Sequence, residues 1–176
     1  MTVANATIAD LESIRQLYLA AFSDEENELV ARCAVELFQD VSSPPTLHLK
    51  TEEHKRLIGH IAFSPLESQT TGELIGYLLA PLAVHPDFQR RGTGSTLVRE
   101  GLKRLKETNE GVVLVYGDPD YYGRFSFKAE LAKAYSPPYE LSFPHGWQAL
   151  RLTEIDSSKR PEKIQCVKAL DRAELW

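Results

Sequence analysis

Residues 85–102 read HPDFQRRGTGSTLVREGL and set two arginines beside a two-glycine turn that runs into an amphipathic helix. The first amides of a helix have no intrahelical partner and carry the positive end of its dipole. A glycine turn at that position therefore suits a phosphate or pyrophosphate. Gly92 and Gly94 allow close main-chain approach and positive φ, and Arg90 and Arg91 add positive charge at the rim.

Two common phosphate motifs are excluded. A Walker loop needs a lysine before its Ser or Thr, and Ser95 and Thr96 follow Gly94 without one. A dinucleotide fingerprint needs a third glycine, where this chain has Leu97.

The elements around the turn follow from periodicity. TIAD reads as a capping box with Thr7 as N-cap and Asp10 answering it. Leu11, Ile14, Leu17, Tyr18, Ala21 and Phe22 then follow helical spacing. A second helix is expected from SDEENE, with Leu29, Val30, Cys33, Ala34, Leu37 and Phe38 inward and its acidic start solvated. TLHLKT and RLIGHIAFSPL flank a polar turn and read as a hairpin. LIGYLLAPLAVHP is a buried central strand, bulged or unpaired at Pro81, which has no N–H for a ladder. The helix after the turn places Leu97, Val98, Gly101, Leu102 and Leu105 inward. GVVLVYG is a second buried strand, and Asp118 and Pro119 open a short helix. WQALRL and KIQCVKAL are expected strands around a polar loop. The order indicates one mixed α/β domain over residues 1–176.

The segment LAVHPDFQRRGTGSTLV resembles the acyl-coenzyme-A site of the GNAT superfamily of N-acetyltransferases. Gln89, Gly92 and Gly94 match the family's Gln/Arg-x-x-Gly-x-Gly/Ala pattern, and Val84 and Pro86 match its Val-x-Pro strand end. The resemblance implies an α/β (α+β) fold: a mixed, mostly antiparallel sheet with a splayed parallel strand pair and flanking helices, with its core motif at 81–127. It implies acetyl-CoA as co-substrate. Backbone amides of Arg90, Arg91, Gly92, Thr93, Gly94 and Ser95 would hold the pyrophosphate. Backbone groups of Leu82, Ala83 and Val84 would pair with the pantetheine arm, which requires the central strand to part from VVLVY near Pro81. The family's leaving-group acid falls on Tyr122 in YGRFSF, with Phe127 matching and Ser126 standing where glycine is usual; Tyr121 is the neighbouring rival.

Acetyl transfer needs a neutral amine, and an alkyl amine is mostly protonated at neutral pH. His60, Glu73 or a water relay are the candidate routes for its proton. The implied acceptor is a primary amine of a small molecule or peptide, in a pocket built from the first two helices, their connection and the tail after residue 128. The same site admits two other readings: a non-catalytic coenzyme-A-binding regulatory module, or a transferase of a longer acyl group.

The rest of the chain narrows the class. Of 176 residues, 43% are hydrophobic and 26% charged; the net charge of −5 gives little encouragement to a nucleic-acid reading, and the basic outer side of the helix after the turn, with Arg99, Lys103, Arg104 and Lys106, reads as a solvated face. No apolar run approaches the roughly 20 residues that span a membrane, and the start lacks a signal-peptide layout, so a cytoplasmic protein is expected. Cys33 and Cys166 have neither metal-ligand nor disulfide-framework spacing and read as buried thiols. No metal is expected. A homodimer remains open, with Trp147 and Trp176 as packing or interface residues.

Overall fold

The computed structural model describes residues 2–108, 111–153 and 162–176; the polar loop expected before the last strand lies outside them. Eight strands form the sheet: β1 (Val3–Asn5), β2 (Leu47–Glu53), β3 (Arg56–Ser68), β4 (Leu74–Val84), β5 (Val112–Tyr116), β6 (Tyr135–Ser136), β7 (Trp147–Arg151) and β8 (Glu162–Cys166). Their main order is β1-β2-β3-β4-β5-β7. Pairing is antiparallel except between β4 and β5 and between β6 and β8. The expected mixed, mostly antiparallel sheet is therefore observed.

The helices are α1 (Leu11–Ala21), α2 (Asn27–Glu36), α3 (Thr93–Glu107), α4 (Pro119–Tyr122) and α5 (Ala129–Ala132). The Asp10 carboxylate accepts from the Thr7 amide at 2.8 Å and closes the expected capping box, though the first turn is 3-10. The helix expected from SDEENE starts at Asn27, because residues before it form a turn. Its buried face is Ala31, Cys33, Ala34 and Leu37. The hairpin turn between β2 and β3 places His54 and Lys55 at φ 50° and 65°, the consecutive left-handed pair of a two-residue hairpin turn.

Side chains on strands alternate between faces, and the sheet sorts them into two layers. Ile61, Phe63, Tyr77, Leu79, Val113 and Val115 pack with Leu97, Val98 and Leu105 of α3 on one face. Ala62, Leu66, Leu78, Val112 and Leu114 face Cys33 and Leu37 of α2 and the C-terminal segment on the other. Ile14, Leu17 and Tyr18 of α1 close the second layer against Leu57 and Ala83. β2 follows β3 only as far as Phe63; β8 takes the neighbouring stretch at Leu66–Ser68. KIQCVKAL is a strand only in its first half, because Lys168–Leu170 coil into a 3-10 turn that buries Ala169 and Leu170. Trp147 and Trp176 are buried against each other, ring centroids 5.7 Å apart.

Candidate active site

Along β3, the register of β4 shifts twice, between Leu66 and Glu67 near the start of β4 and between Ile61 and Phe63. Ile61 pairs with Leu82 and Phe63 with Leu79, so Ala80 and Pro81 together oppose Ala62. This is the bulge expected at Pro81. Across the other edge, β4 and β5 pair only at Gly76–Val112, Tyr77–Val113 and Leu78–Leu114. Beyond Leu78 the parallel strands part, and β5 continues against β7 through Val115 and Tyr116.

Strand alternation then decides which groups face the gap. The His85 amide donates to the Ile58 carbonyl at 2.9 Å, on the β3 side. The Val84 carbonyl therefore points to the open edge, where the Gln89 side-chain amide donates to it at 3.1 Å. By the same alternation, main-chain groups of Leu82 face the opening, while those of Ala83, opposite His60, belong to the β3 ladder.

The turn ends β4's excursion and starts α3. Arg90 and Gly92 both hold left-handed conformations, φ 59° and 84°. Main-chain bonding in α3 resumes with the Thr96 amide on the Gly92 carbonyl at 2.9 Å, which leaves the amides of Thr93, Gly94 and Ser95 as the unpaired first turn. Gly94 is helical, not left-handed, and its role is spatial. A Cβ there would lie 2.5 Å from the Tyr121 hydroxyl and 3.4 Å from Val84. Arg90 faces the cavity beside the turn; Arg91 turns away and lies over the Phe88 ring at 5.2 Å.

Asp118 caps α4 by accepting from the Asp120 amide at 2.9 Å, with Pro119 in the first position. This short helix aims two tyrosines differently. Tyr121 sets its hydroxyl against Gly94 at the turn; burial raises its phenol, partly offset by Ser95, Arg124 and Arg99. Tyr122 lies deeper, its ring over Gly117, where a Cβ would meet it at 2.5 Å. Burial pushes the Tyr122 phenol well above the ordinary tyrosine value, Tyr121 and Asp118 adding to the rise. None of the described residues hydrogen-bonds its hydroxyl. The following turn needs a left-handed residue, and Ser126 supplies it at φ 71°.

All of this borders one cavity of about 870 Å³. It is lined by Leu82, Val84, Gln89, Arg90, Gly92, Thr93, Gly94, Ser95, Tyr121 and Tyr122, with Ala83 and Arg91 outside. Phe22, Val30 and Cys33 line it too. Those residues belong to the α1/α2 layer, and Gly94 and Ser95 to α3 on the opposite face. The cavity therefore passes through the sheet where β4 and β5 part.

A model of the acetyltransferase (GNAT) family matches residues 11–121. The chain belongs to the GNAT family of acetyltransferases. YjhQ, an N-acetyltransferase of Escherichia coli strain K12, is 33% identical over 152 residues, covering 82% of this chain and 81% of YjhQ. The crystal structure of the GNAT N-acetyltransferase YhbS from E. coli, in complex with CoA, superposes with a TM-score of 0.83 at 25% identity, covering 97% of this chain and 92% of YhbS. A GNAT acetyltransferase from Brucella melitensis in complex with acetyl-CoA gives 0.70 at 27% identity, with 97% of each chain covered. Among the described residues, no helix of this acetyltransferase is long and apolar enough to cross a membrane.

Neither side chain expected as a base reaches the cavity of this GNAT protein. His60 is fully buried on β3, its Nδ1 3.0 Å from the Tyr18 hydroxyl and its Nε2 3.4 Å from His48 Nδ1. Burial, and then His48, push its pKa down to about 3. Glu73 precedes β4 at the zipped end, nine residues from Leu82 and so roughly 30 Å along the strand. The cavity walls that no motif announced are Phe22, Val30, Cys33, Tyr116, Leu170 and Leu175. Apolar periodicity identified α1 and α2 but could not say which of their residues edge a gap. Burial keeps Cys33 a neutral thiol, with its pKa pushed up to about 12.

Proposed function

We propose that this acetyltransferase carries an acetyl group from acetyl-CoA to a primary amine of a small molecule or peptide, by direct attack with both substrates bound. One observation carries the reading: the unpaired amides of the turn into α3 and the open edge of β4 border the same cavity, which crosses the sheet. The free amides from Arg90 to Ser95 hold the pyrophosphate, with Arg90 as the turn's own charge on the cavity wall. Leu82 and Val84 offer main-chain groups to the pantetheine arm as a missing strand would. Gln89 fixes the Val84 carbonyl, and Gly94 keeps the turn clear. The complexes of YhbS with CoA and of the Brucella protein with acetyl-CoA support the choice of ligand.

The amine enters from the α1/α2 face, so the two substrates meet between β4 and β5. Its nitrogen bonds to the acetyl carbon, and main-chain N–H on the open edge steadies the developing oxyanion. The C–S bond then breaks, the thiolate takes the Tyr122 hydroxyl proton, and water returns the nitrogen's surplus proton to the tyrosinate. Tyr122 suits the role better than Tyr121, whose hydroxyl sits against Gly94 at the turn. Its high pKa keeps it protonated while it waits.

The test is Tyr122→Phe. We expect kcat to fall about 100-fold, with the acetyl-CoA-induced rise in melting temperature unchanged. Unaltered kcat removes Tyr122 from the mechanism. Gly94→Glu probes the cofactor end: it should abolish the acetyl-CoA-induced rise, by repelling the pyrophosphate and crowding Tyr121. A full rise in that variant would refute the placement of the pyrophosphate.

A further inference from the structure

The cavity's two ends differ in chemistry. At the turn it offers unpaired amides, Arg90 and hydroxyls. On the α1/α2 side its walls are Phe22, Val30, Cys33, Tyr116, Leu170 and Leu175. Among the described residues, only three charged ones line this space: Arg90, Asp118 and Arg124. The Asp118 carboxylate is engaged in capping α4. Arg124 donates to the Tyr121 carbonyl at 3.1 Å and lies over that ring at 4.5 Å. Among the described lining residues, the apolar end therefore has no carboxylate for a second ammonium and no cation for a substrate carboxylate.

Resting on the function proposed above, we propose that the acceptor is a primary amine carried on an apolar body, aromatic or aliphatic, with no second charged group. A further charge on the acceptor would be buried without a partner, which strongly disfavours its binding. The same walls answer the question of the base. Desolvation disfavours the ammonium form of a bound amine, so the pocket itself favours the neutral nucleophile that His60 and Glu73 are placed too far away to generate. A proton released to water on entry leaves an uncharged amine facing the thioester.

The experiment compares 2-phenylethylamine with two relatives: phenylalanine, which adds a carboxylate, and 1,4-diaminobutane, which replaces the ring by a second ammonium. Acetyl-CoA consumption is measured for each, alongside the acetyl-CoA-induced change in melting temperature. We expect kcat/KM for 2-phenylethylamine to exceed both others by at least about tenfold. In Val30→Asp, a carboxylate on a half-buried wall position should narrow the gap to 1,4-diaminobutane by about tenfold. If either charged amine matches 2-phenylethylamine, or none of the three reacts, the substrate assignment is overturned. A retained melting-temperature rise then shows that the cofactor end stands without it, whereas loss of that rise in the unmodified protein sinks the underlying acetyl-CoA reading as well.

Discussion

The two ends of the β4–β5 pair behave oppositely although one strand runs through both. At the zipped end, Gly76 and Gly111 let main chains approach closely: a Cβ on Gly76 would sit 1.9 Å from the Val112 carbonyl oxygen, and one on Gly111 2.0 Å from that of Ile75. At the open end, Ala80 and Pro81 bulge, Pro81 has no N–H to offer, and β5 leans to β7. Glycine closes the pair and the proline bulge accompanies its opening. The lesson is that the cavity is made by unequal pairing along a single pair of strands, so the closed end must be rigid for the open end to keep its width.

Breaking the closed end should have the largest effect. In Gly76→Val, a branched side chain must enter space held by backbone, at φ 153°. We expect a loss of about 4 kcal/mol or more in urea-induced unfolding, together with weakened acetyl-CoA binding. A variant as stable as the parent would show that tight pairing there is dispensable and that the opening is held by other means.

The edge of β4 that stays closed against β3 supplies a second, smaller test. Here His60 and His48 are buried, in contrast to the open edge. Burial, reinforced for His60 by its neighbour and opposed for His48 by the Leu37 carbonyl, lowers their pKa values to about 3 and about 4. In the unfolded chain both take up protons near pH 6.5. The unfolded state thus binds more protons in the window between those values. Stability is level above about pH 6.5 and falls as pH drops toward about 4, by about 1.4 kcal/mol per unit for each histidine. His60→Gln should remove about 2 kcal/mol of the loss between roughly pH 6.5 and 5, read by urea titration at each pH. An unchanged slope would mean that His60 is not held neutral, and that the closed edge is wetter than its burial implies.

What the sequence discloses and what it hides divide along the same line. The strand, turn and helix at 82–105 were legible because each rests on local chemistry: an apolar run, glycines and helical spacing. The bulge was legible because proline cannot donate. Which of Leu82, Ala83 and Val84 face the gap was not, since that depends on register with β3, set by residues more than twenty positions away. The reason for Gly94 was likewise hidden, because its neighbour is Tyr121 on another element. His60 looked available on a strand beside a cleft, yet α1 covers it through Tyr18. The tail carried no motif, and Leu170 and Leu175 reach the cavity only through the packing of the C-terminal segment.

Ser126 sharpens the comparison at its finest grain. Both glycines of the zipped end and Gly92 of the turn adopt positive φ, at positions that tolerate no ordinary side chain comfortably. Ser126 adopts φ 71° with a Cβ in place, just after Tyr122 and before buried Phe127. A non-glycine residue in that region costs roughly 1–2 kcal/mol, and glycine returns part of the gain through its freer unfolded chain. Ser126→Gly should therefore stabilise the protein by about 0.5–1 kcal/mol, a rise of a few degrees in melting temperature, with kcat preserved because the path of the chain is unchanged. Destabilisation instead would mean that the serine side chain contributes an interaction worth more than the strain it imposes, and that the turn behind Tyr122 is held from outside its own backbone.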